Sequence, residues 1–527
     1  MELCDYPAYQ LVGMIRRKQV SAVEVLESAL KRIGEVDGCP GQLDGNNQIE
    51  PDKIHSFITL TPERARSQAQ KVDHAIAAGE DPGGLAGVPF TTKDIYCVKD
   101  TLTTAGSRIL SNFTSPYTAT PIERIEAQGG VLLGKVNQDE FAYGSSSESS
   151  AFLPTPRNPW NTDCVPGGSS GGSTAAVAVG EGCFSIGTDT AGSIRQPAAF
   201  CGVIGVKPTY SRVSRYGLIA FGSSLDCPGP ITRNVQDAAL VLRIISGADP
   251  KDSTAANLSV PDYLSELQTP IRGMRIGLSP DYFKITYLDA QSGEIQQEDI
   301  PAIMKDAVYR AAGRLAEMGA DIVEDVPMQQ TRYGIPAYFV ISRVEAASNL
   351  HRFDGVKYGY RTRQAVSDVH EMYRKSRAEG FGLQPKLRIL MGMYVSAAQY
   401  SEQYYLRALR VRTLIRQDFN EIFDPKGKYR LKALLTPTTP TTAFRMGDIY
   451  GDSVLMQYAD QLTVPANHAG IPGISIPAGF DLQGLPIGVQ LLGNDFAESE
   501  LLRIAYAYEK VTEEDEWRTR KPPILTK

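Results

Sequence analysis

Apolar and polar residues follow helical and strand periods in turn along this chain. Near the N-terminus, Ser21 and Glu24 have the spacing of a helix capping box. The apolar positions that follow it at helical spacing are Ala22, Leu26, Ala29 and Ile33. A second amphipathic helix is predicted over 301–318, between strands at 271–278 and 322–326. This part of the chain is therefore predicted to form a β-α-β unit.

The other segments continue the alternation without an internal repeat or a long linker. Helices are predicted within 1–36, 62–78, 121–128, 235–246, 335–424 and 498–510. Strands are predicted within 55–60, 88–92, 130–133, 434–438, 473–477 and 486–492, and 203–252 is predicted to be rich in turns. Such an alternation predicts an α/β fold in one large domain over residues 1–527.

Glycine and serine are most concentrated in two turns, at 165–173 and 187–197. Between them the pattern predicts a short apolar helix that ends at Gly180, followed by a buried strand. This order brings Ser169 close to Ser193, although the two are distant in sequence. Successive N–H groups in glycine-rich turns can point into one cavity and hold an oxyanion. A pair of flexible linkers is the alternative interpretation.

A lysine follows a predicted strand in the upstream segment 84–94. The β-branched and aromatic residues at 88–92 predict that strand, which delivers Lys93 and Asp94 to its end. A lysine directly after an apolar strand indicates a cleft, but an exposed lysine explains the spacing equally well.

Two familiar patterns are interpreted as coincidences. Residues 129–135 match G-x-x-x-x-G-K, but Val136 occupies the position of the Mg²⁺-binding hydroxyl, which favours a strand end. Residues 168–172 match the nucleophile elbow G-x-S-x-G. That elbow needs a preceding strand, which the Pro-Gly-Gly approach disfavours, and a later histidine partner.

The charge and composition of the chain exclude several classes of protein. The net charge is −6. A protein that binds nucleic acid without a partner usually has a basic surface, so any contact of this chain with RNA is expected to depend on a partner. Neither a membrane-spanning run nor a signal peptide is recognisable. Seven scattered cysteines and five isolated histidines predict reduced thiols and no metal site. We expect a cytoplasmic protein, or the processed form of an organellar one.

The two turns and the upstream lysine resemble the amidase signature family, which has Gly-Gly-Ser-Ser-Gly-Gly-Ser, then a Gly-Thr/Ser-Asp-x-Gly-Gly-Ser-Ile-Arg turn. Within it the resemblance narrows to the A subunits of glutamyl-tRNA(Gln) amidotransferases. Supporting segments, in the family's order, are 215–221, 223–226, 249–254, 345–349, 354–360 and 464–467. The resemblance implies a single domain with a mixed β-sheet core covered by helices on both faces. It also implies a signature core over about 84–230 and a helical glutamine-site region over about 330–424.

For catalysis, the resemblance implies a triad of Ser193 as nucleophile, Ser169 as proton relay and Lys93 as base. A lysine can act as a base only if burial favours its neutral form. The cis peptide bond of the family falls between Gly168 and Ser169. The oxyanion hole of the family falls on the N–H groups of Thr190, Ala191, Gly192 and Ser193.

Two departures from the family lie near this site. Ala191 stands where the family has glycine, and if that position requires a positive φ, alanine costs about 1 kcal/mol or more. Cys227 and Pro228 stand where the family usually has Gln-Ile. The loops at 39–52 and 426–432 look like local insertions, and the second is interpreted as a solvated basic connection.

Glutamine recognition in these subunits resembles a charged clamp that falls on Arg388, Asp460 and Tyr338. A guanidinium suits the α-carboxylate because its N–H groups form a bidentate fork, and an aspartate suits the α-amino group. Without the resemblance, each of the three is better explained as an ordinary surface or core residue.

The resemblance also implies partners. The ammonia from glutamine would pass to a partner subunit, in a heterotrimer with subunits B and C. That partner would hold ATP, Mg²⁺ and most of the Glu-tRNA(Gln), so no cofactor, no metal and no membrane contact is expected for this chain. A stand-alone amidase for another small amide is the alternative, and a non-catalytic scaffold, suggested only by Ala191, is the third hypothesis.

Overall fold

The computed structural model describes residues 2–47, 50–288, 292–452 and 455–526. Its strands are β1 Gln42–Leu43, β2 Phe57–Leu60, β3 Pro89–Lys93, β4 Val131–Val136, β5 Phe152–Leu153, β6 Phe184–Asp189, β7 Ile204–Lys207, β8 Cys227–Thr232, β9 Arg275–Leu278, β10 Lys284–Leu288, β11 Ile295–Asp299, β12 Asp321–Val323, β13 Ala433–Pro437, β14 Gly473–Phe480 and β15 Pro486–Leu492.

The helices lie before, between and after these strands. They are α1 Ala8–Arg16, α2 Ala22–Val36, α3 Pro62–Ala78, α4 Thr120–Ala127, α5 Gly171–Val179, α6 Arg195–Cys201, α7 Val235–Ile245, α8 Tyr263–Glu266, α9 Ala302–Glu317, α10 Gly334–Asn349, α11 Val369–Gly380, α12 Leu383–Ser396, α13 Arg407–Phe423, α14 Leu455–Tyr458, α15 Val464–Ala469 and α16 Glu498–Val511. The predicted capping box is present, because Ser21 Oγ accepts the N–H of Glu24 while the Glu24 carboxylate accepts that of Ser21.

Eleven of the described strands form one mixed sheet, in the order β12-β9-β13-β15-β14-β7-β8-β6-β3-β4-β2. β3 runs parallel to β4 and β6, and β9 runs parallel to β12 and β13. The predicted β-α-β unit is confirmed, since α9 connects the parallel strands β9 and β12. The predicted core face of α9 is buried at Met304, Val308, Ala311 and Leu315.

The interpretation of residues 203–252 as turn-rich was wrong in part, because β7 and β8 lie within them. β8 has the sequence Cys-Pro-Gly-Pro-Ile-Thr, and proline and glycine both weaken a strand signal. The strand forms nevertheless, because β6 and β7 pair with it from both sides. The pattern also missed α6, whose Pro197 lies in the first turn of the helix, where proline is tolerated.

The central strands are buried along their whole length, as shown by β3, β4, β6, β8, β13 and β15. Burial of both faces requires helices on both faces. α5 packs on β3 and β6, α6 packs on β14 and β15, and α9 packs on β13. The predicted fold class, a mixed sheet covered by helices, is therefore confirmed. Among the described helices, none combines the length and apolar composition that crossing a membrane requires.

Candidate active site

The two glycine–serine turns meet, as their order in sequence predicted. Helix α5 begins directly after Ser169 and Ser170, and it ends at Gly180, whose φ is 80°. Strand β6 then returns the chain to the second turn. There the N–H of Ser170 donates to the carbonyl of Ser193 at 3.2 Å, and the Gly168–Ser169 peptide bond is cis.

Lys93 ends strand β3 inside this junction, not at the protein surface. Its side chain is buried, and Nζ lies 2.7 Å from Ser169 Oγ. The same nitrogen lies 3.0 Å from Ser170 Oγ and 3.0 Å from Thr188 Oγ1. No sequence pattern indicated Thr188 as a third hydroxyl neighbour, because only the return of β6 brings it to the lysine.

The environment of Lys93 favours the neutral amine. Complete burial lowers the pKa of Lys93 to about 7, although the charges of Asp139, Asp226 and Asp189 act in the opposite direction. Desolvation disfavours the ammonium form, and here it outweighs the three carboxylates. At neutral pH a substantial fraction of Lys93 therefore carries a lone pair.

Ser193 is buried, but slightly less so than the lysine and the two serines of the first turn. Its exposed fraction is 4%, whereas Lys93, Ser169 and Ser170 are each 0% exposed. Within the described residues, the four N–H groups from Thr190 to Ser193 donate to no protein acceptor. The second turn thus offers a serine that keeps slight exposure to solvent, and a set of amide donors without a protein acceptor.

The substitution of glycine by Ala191 is harmless to the backbone of this turn. The positive φ of the turn, 152°, belongs to Gly192, and Ala191 lies outside the left-handed region. A Cβ at position 192 would lie only 2.2 Å from Thr463 Oγ1, so glycine is required there. The only feature that suggested a non-catalytic scaffold is therefore removed.

A buried ion pair holds the second turn in place. Arg195 Nε donates to Asp189 Oδ2 at 3.0 Å, and a second guanidinium nitrogen donates to Asn467 Oδ1 at 2.7 Å. Burial acts to raise the pKa of Asp189, but the charge and hydrogen bonds of Arg195, together with Lys207 and Asn467, hold that pKa below its usual range. The only signal of this support in the sequence is an Asp and an Arg within one turn, which was not recognised.

Asp460 lies beside the same turn. Ser145 Oγ donates to Asp460 Oδ2 at 2.5 Å, while Oδ1 has no hydrogen-bond partner among the described residues. A Cβ built on Gly192 would lie 2.8 Å from Oδ1, which places that oxygen at the second turn. Burial raises the pKa of Asp460 to about 8.

Arg388 and Tyr338 are both buried, on α12 and α10 respectively. The Arg388 guanidinium donates to Gln384 Oε1 at 2.6 Å and lies 4.9 Å from the ring centroid of Tyr143. Burial raises the pKa of Tyr338, while the Arg388 charge lowers it, so the two groups are electrostatic neighbours. The structure thus brings Tyr338, Arg388 and Asp460 into one buried region with the triad.

The two patterns interpreted as coincidences are structural. Lys135 lies within β4, and its Nζ pairs with Asp94 Oδ1 at 2.8 Å in the interior, so the G-x-x-x-x-G-K match is a strand. Ser170 is the N-cap of α5, and among the described elements no strand runs directly into it. Its hydroxyl donates to the carbonyl of Thr188 at 3.3 Å.

One group of candidate metal ligands occurs among the described residues, formed by Cys39, Glu50 and His55. The two ring nitrogens of His55 lie 3.1 Å from the Cys39 carbonyl and 3.0 Å from the Glu50 carbonyl. Both ring nitrogens therefore already face carbonyl oxygens of the protein.

The geometry of a buried lysine, two serines and a turn of amide donors defines a class of acyl-transfer enzyme, and the amidase family model matches residues 47–502. The chain belongs to the amidase family, as the resemblance predicted. It is 47% identical over 524 residues to the A subunit of the glutamyl-tRNA(Gln) amidotransferase of Moorella thermoacetica, covering 99% of each chain. It is 50% identical to the corresponding A subunit of Prochlorococcus marinus strain MIT 9303, covering 93% of this chain and 94% of the relative.

Solved structures agree with this assignment. The crystal structure of the glutamyl-tRNA(Gln) amidotransferase A subunit from Thermotoga maritima superposes with a TM-score of 0.76 at 34% identity, covering 99% of this chain and 98% of that one. A peptide amidase in complex with chymostatin also superposes, with a TM-score of 0.76 at 29% identity and coverage of 98% and 99%. The fold is therefore shared between subunits of a transfer-RNA enzyme and an amidase of another kind.

Proposed function

We propose that this chain is the glutamine-hydrolysing subunit of a glutamyl-tRNA(Gln) amidotransferase. It releases ammonia from glutamine, and a partner subunit uses that ammonia to convert Glu-tRNA(Gln) to Gln-tRNA(Gln). The observation that carries the hydrolytic part is the contact of buried Lys93 with Ser169, at the junction where the N–H of Ser170 donates to the carbonyl of Ser193. Relatives of nearly full length that are named as this subunit support the rest.

The proton path starts at Ser193 and ends at Lys93. Neutral Lys93 has one lone pair, and the nearest hydroxyl, at 2.7 Å, is that of Ser169. Ser170 also contacts the lysine, but its own proton is donated to the Thr188 carbonyl. Ser169 is therefore the hydroxyl that gives its proton to Lys93 and takes one from Ser193.

Acyl transfer then follows in two steps. Ser193 Oγ attacks the carboxamide carbon of glutamine, and the proton taken up by Lys93 is returned to the leaving nitrogen as the C–N bond breaks. Ammonia leaves and a γ-glutamyl ester remains on Ser193. A water molecule, deprotonated by the same path, attacks the ester carbon. The bond from that carbon to Ser193 Oγ breaks, the proton returns to Oγ, and glutamate is released.

The negative charge of each tetrahedral intermediate develops beside the second turn. The N–H groups of Thr190, Ala191, Gly192 and Ser193 would donate to it. Among the described residues, these four groups donate to no other acceptor. Donors fixed in advance in a water-poor site stabilise such charge strongly. The Asp189–Arg195 pair holds this turn in place, so it acts as a positioning element.

Glutamine would be selected by opposite charges on either side of the reacting centre. Arg388 would bind the α-carboxylate, Asp460 would bind the α-amino group through Oδ1, which the described residues leave unpartnered, and Tyr338 would line the pocket. Tyr338 and Arg388 belong to the helical region 330–424, which we propose supplies the glutamine site to the signature core at 84–230. A neutral amide offers neither charge, which favours glutamine over the substrates of a stand-alone amidase.

The remaining components would belong to the complex. We propose a heterotrimer with subunits B and C, in which the partner holds ATP, Mg²⁺ and most of the tRNA. This chain would need no cofactor of its own, and it would work in the cytoplasm. An assay of ammonia release from glutamine, with and without co-expressed B and C subunits, tests the proposal. Hydrolysis of simple amides with no activity on glutamine in either arm would favour the stand-alone amidase.

Removing either charge of the clamp should weaken the binding of glutamine without affecting the turnover of neutral amides. We expect Arg388→Ala and Asp460→Asn each to raise KM for glutamine by roughly 30-fold to several thousand-fold. Stranding one charge of a desolvated pair costs about 2–5 kcal/mol. Turnover of a neutral aliphatic amide should be unchanged, because the triad is intact. An equal loss on both substrates in steady-state assays would instead assign these residues to the fold.

The pH profile should show two limbs. Both Lys93 and Asp460 must lose a proton to work, and their pKa values are about 7 and about 8. We therefore expect kcat/KM for glutamine to rise with pH through both values and then to level off. In Asp460→Asn the limb near pH 8 should disappear while the limb near pH 7 remains. A profile that falls between pH 6 and 8 would contradict the assignment of Lys93 as a base.

A further inference from the structure

The hydroxyl of Tyr143 is buried, and it has no hydrogen-bond partner among the described residues. The side chain as a whole is buried. Burial raises the pKa of Tyr143 well above its usual value, so the phenol keeps its proton and remains a donor. Buried polar groups in native proteins almost always have a partner, so this hydroxyl points to a ligand or a bound water.

Tyr143 faces the region assigned to the substrate. The guanidinium of Arg388 lies over its ring, 4.9 Å from the centroid. The ring of Phe221 forms a T-shaped pair with it, with the two centroids 4.4 Å apart. Two residues further on, Ser145 holds Asp460. One short segment therefore contacts both charged groups of the proposed clamp.

The position of Tyr143 relative to Arg388 is fixed by a second contact. Glu140, three residues before Tyr143, accepts the N–H of Gly382 at 3.1 Å. Gly382 is the N-cap of α12, the helix that carries Arg388. The ring and the guanidinium are thus both positioned by Glu140. A ligand that binds beside one of them therefore also lies beside the other.

We propose that Tyr143 is a further substrate-binding residue, whose hydroxyl donates a hydrogen bond to the carboxylate that Arg388 binds. This inference rests on the proposed glutamine specificity. A carboxylate has about four lone-pair sites, which is more than the two parallel N–H groups of a guanidinium fill. The phenol supplies a further donor without adding charge, and its ring keeps Arg388 in place through a cation–π contact.

The test is Tyr143→Phe, which keeps the ring and its packing and removes only the hydroxyl. We expect KM for glutamine to rise roughly 10- to 150-fold, the range for loss of a hydrogen bond to a charged group. The kcat should stay within about twofold. The matched control is Tyr282→Phe, which changes another buried tyrosine in the separate cluster of Phe419 and Leu434, and it should leave KM unchanged.

A second substrate separates binding of the carboxylate from packing. In glutamine α-amide a neutral carboxamide replaces the carboxylate. For this substrate, the rise in KM caused by Tyr143→Phe should be several-fold smaller than the rise for glutamine. Equal losses on the two substrates would assign Tyr143 to packing and overturn the proposal. So would an unchanged KM for glutamine, the result expected if the hydroxyl holds only a water.

Arg388→Ala, assayed in parallel, shows which idea has failed. If that variant raises KM for glutamine and Tyr143→Phe does not, the clamp stands and the role of Tyr143 is wrong. If neither variant changes KM for glutamine, the clamp itself is wrong, and the inference about Tyr143 is overturned with it.

Discussion

Lys93→Arg is expected to lower the turnover of glutamine by roughly 10²–10⁴-fold, the contribution typical of a general base. The variant keeps a cation at the end of β3, but a guanidinium cannot lose its proton in the working pH range. Ser169 would then have no base to take its proton. The other groups that contact Lys93 are the hydroxyls of Ser170 and Thr188, which are too weakly basic for this role. Steady-state release of ammonia measures the effect.

The loss must be separated from a loss of folding, because the lysine is buried. Lys93→Met removes the charge and the donor together, and it should also be inactive while melting at a temperature close to that of the parent chain. Desolvation already opposes the charge at this position, so a neutral side chain fits. Near-normal turnover in Lys93→Arg would rule out Lys93 as the base, whatever the stability of the two variants.

Ser193→Ala is expected to reduce turnover by on the order of 10⁴-fold or more, because it removes the atom that carries the acyl group. The backbone amides of the second turn remain, so glutamine should still bind with a similar affinity. The matched control is Ser173→Ala, which removes another buried hydroxyl from the first turn of α5. That hydroxyl makes no hydrogen bond among the described residues, so its loss should leave kcat within a few-fold.

Ser170→Ala gives a graded comparison. Ser170 contacts Lys93 but gives its proton to a carbonyl, so its loss should disturb the lysine without ending catalysis. If Ser170→Ala were inactive and Ser193→Ala active, the nucleophile would be Ser170, and the proposed proton path from Ser193 through Ser169 to Lys93 would be wrong.

The local parts of this fold could be predicted from the sequence. The capping box at Ser21, the helix over 62–78 and the β-α-β unit around α9 depend on residues close to one another in the chain. The junction of the two turns could also be predicted, since a short helix and a strand connect them. The proline-rich β8 could not, because its pairing partners override its own weak preference for a strand.

The proposed substrate side of the site depends on contacts between distant segments. Ser145 and Asp460 are 315 positions apart, and no local pattern relates Tyr143 to Arg388. The resemblance to a family indicated Arg388 and Asp460, and the structure shows that Tyr143 contacts the first, that Ser145 contacts the second and that Glu140 contacts the N-cap of the helix carrying Arg388. The pKa of Lys93 is likewise a property of the folded chain, because it depends on complete burial and not on neighbouring residues in sequence.

The most direct test of the account is to identify the acylated residue during turnover. The complex with its partner subunits would be mixed with glutamine, quenched in acid within the first turnovers and analysed by peptide mapping. We predict a γ-glutamyl ester on the peptide that contains Ser193, and its absence from Ser193→Ala. An adduct on Ser169, Ser170 or Ser173, or an active enzyme without any adduct, would contradict the account.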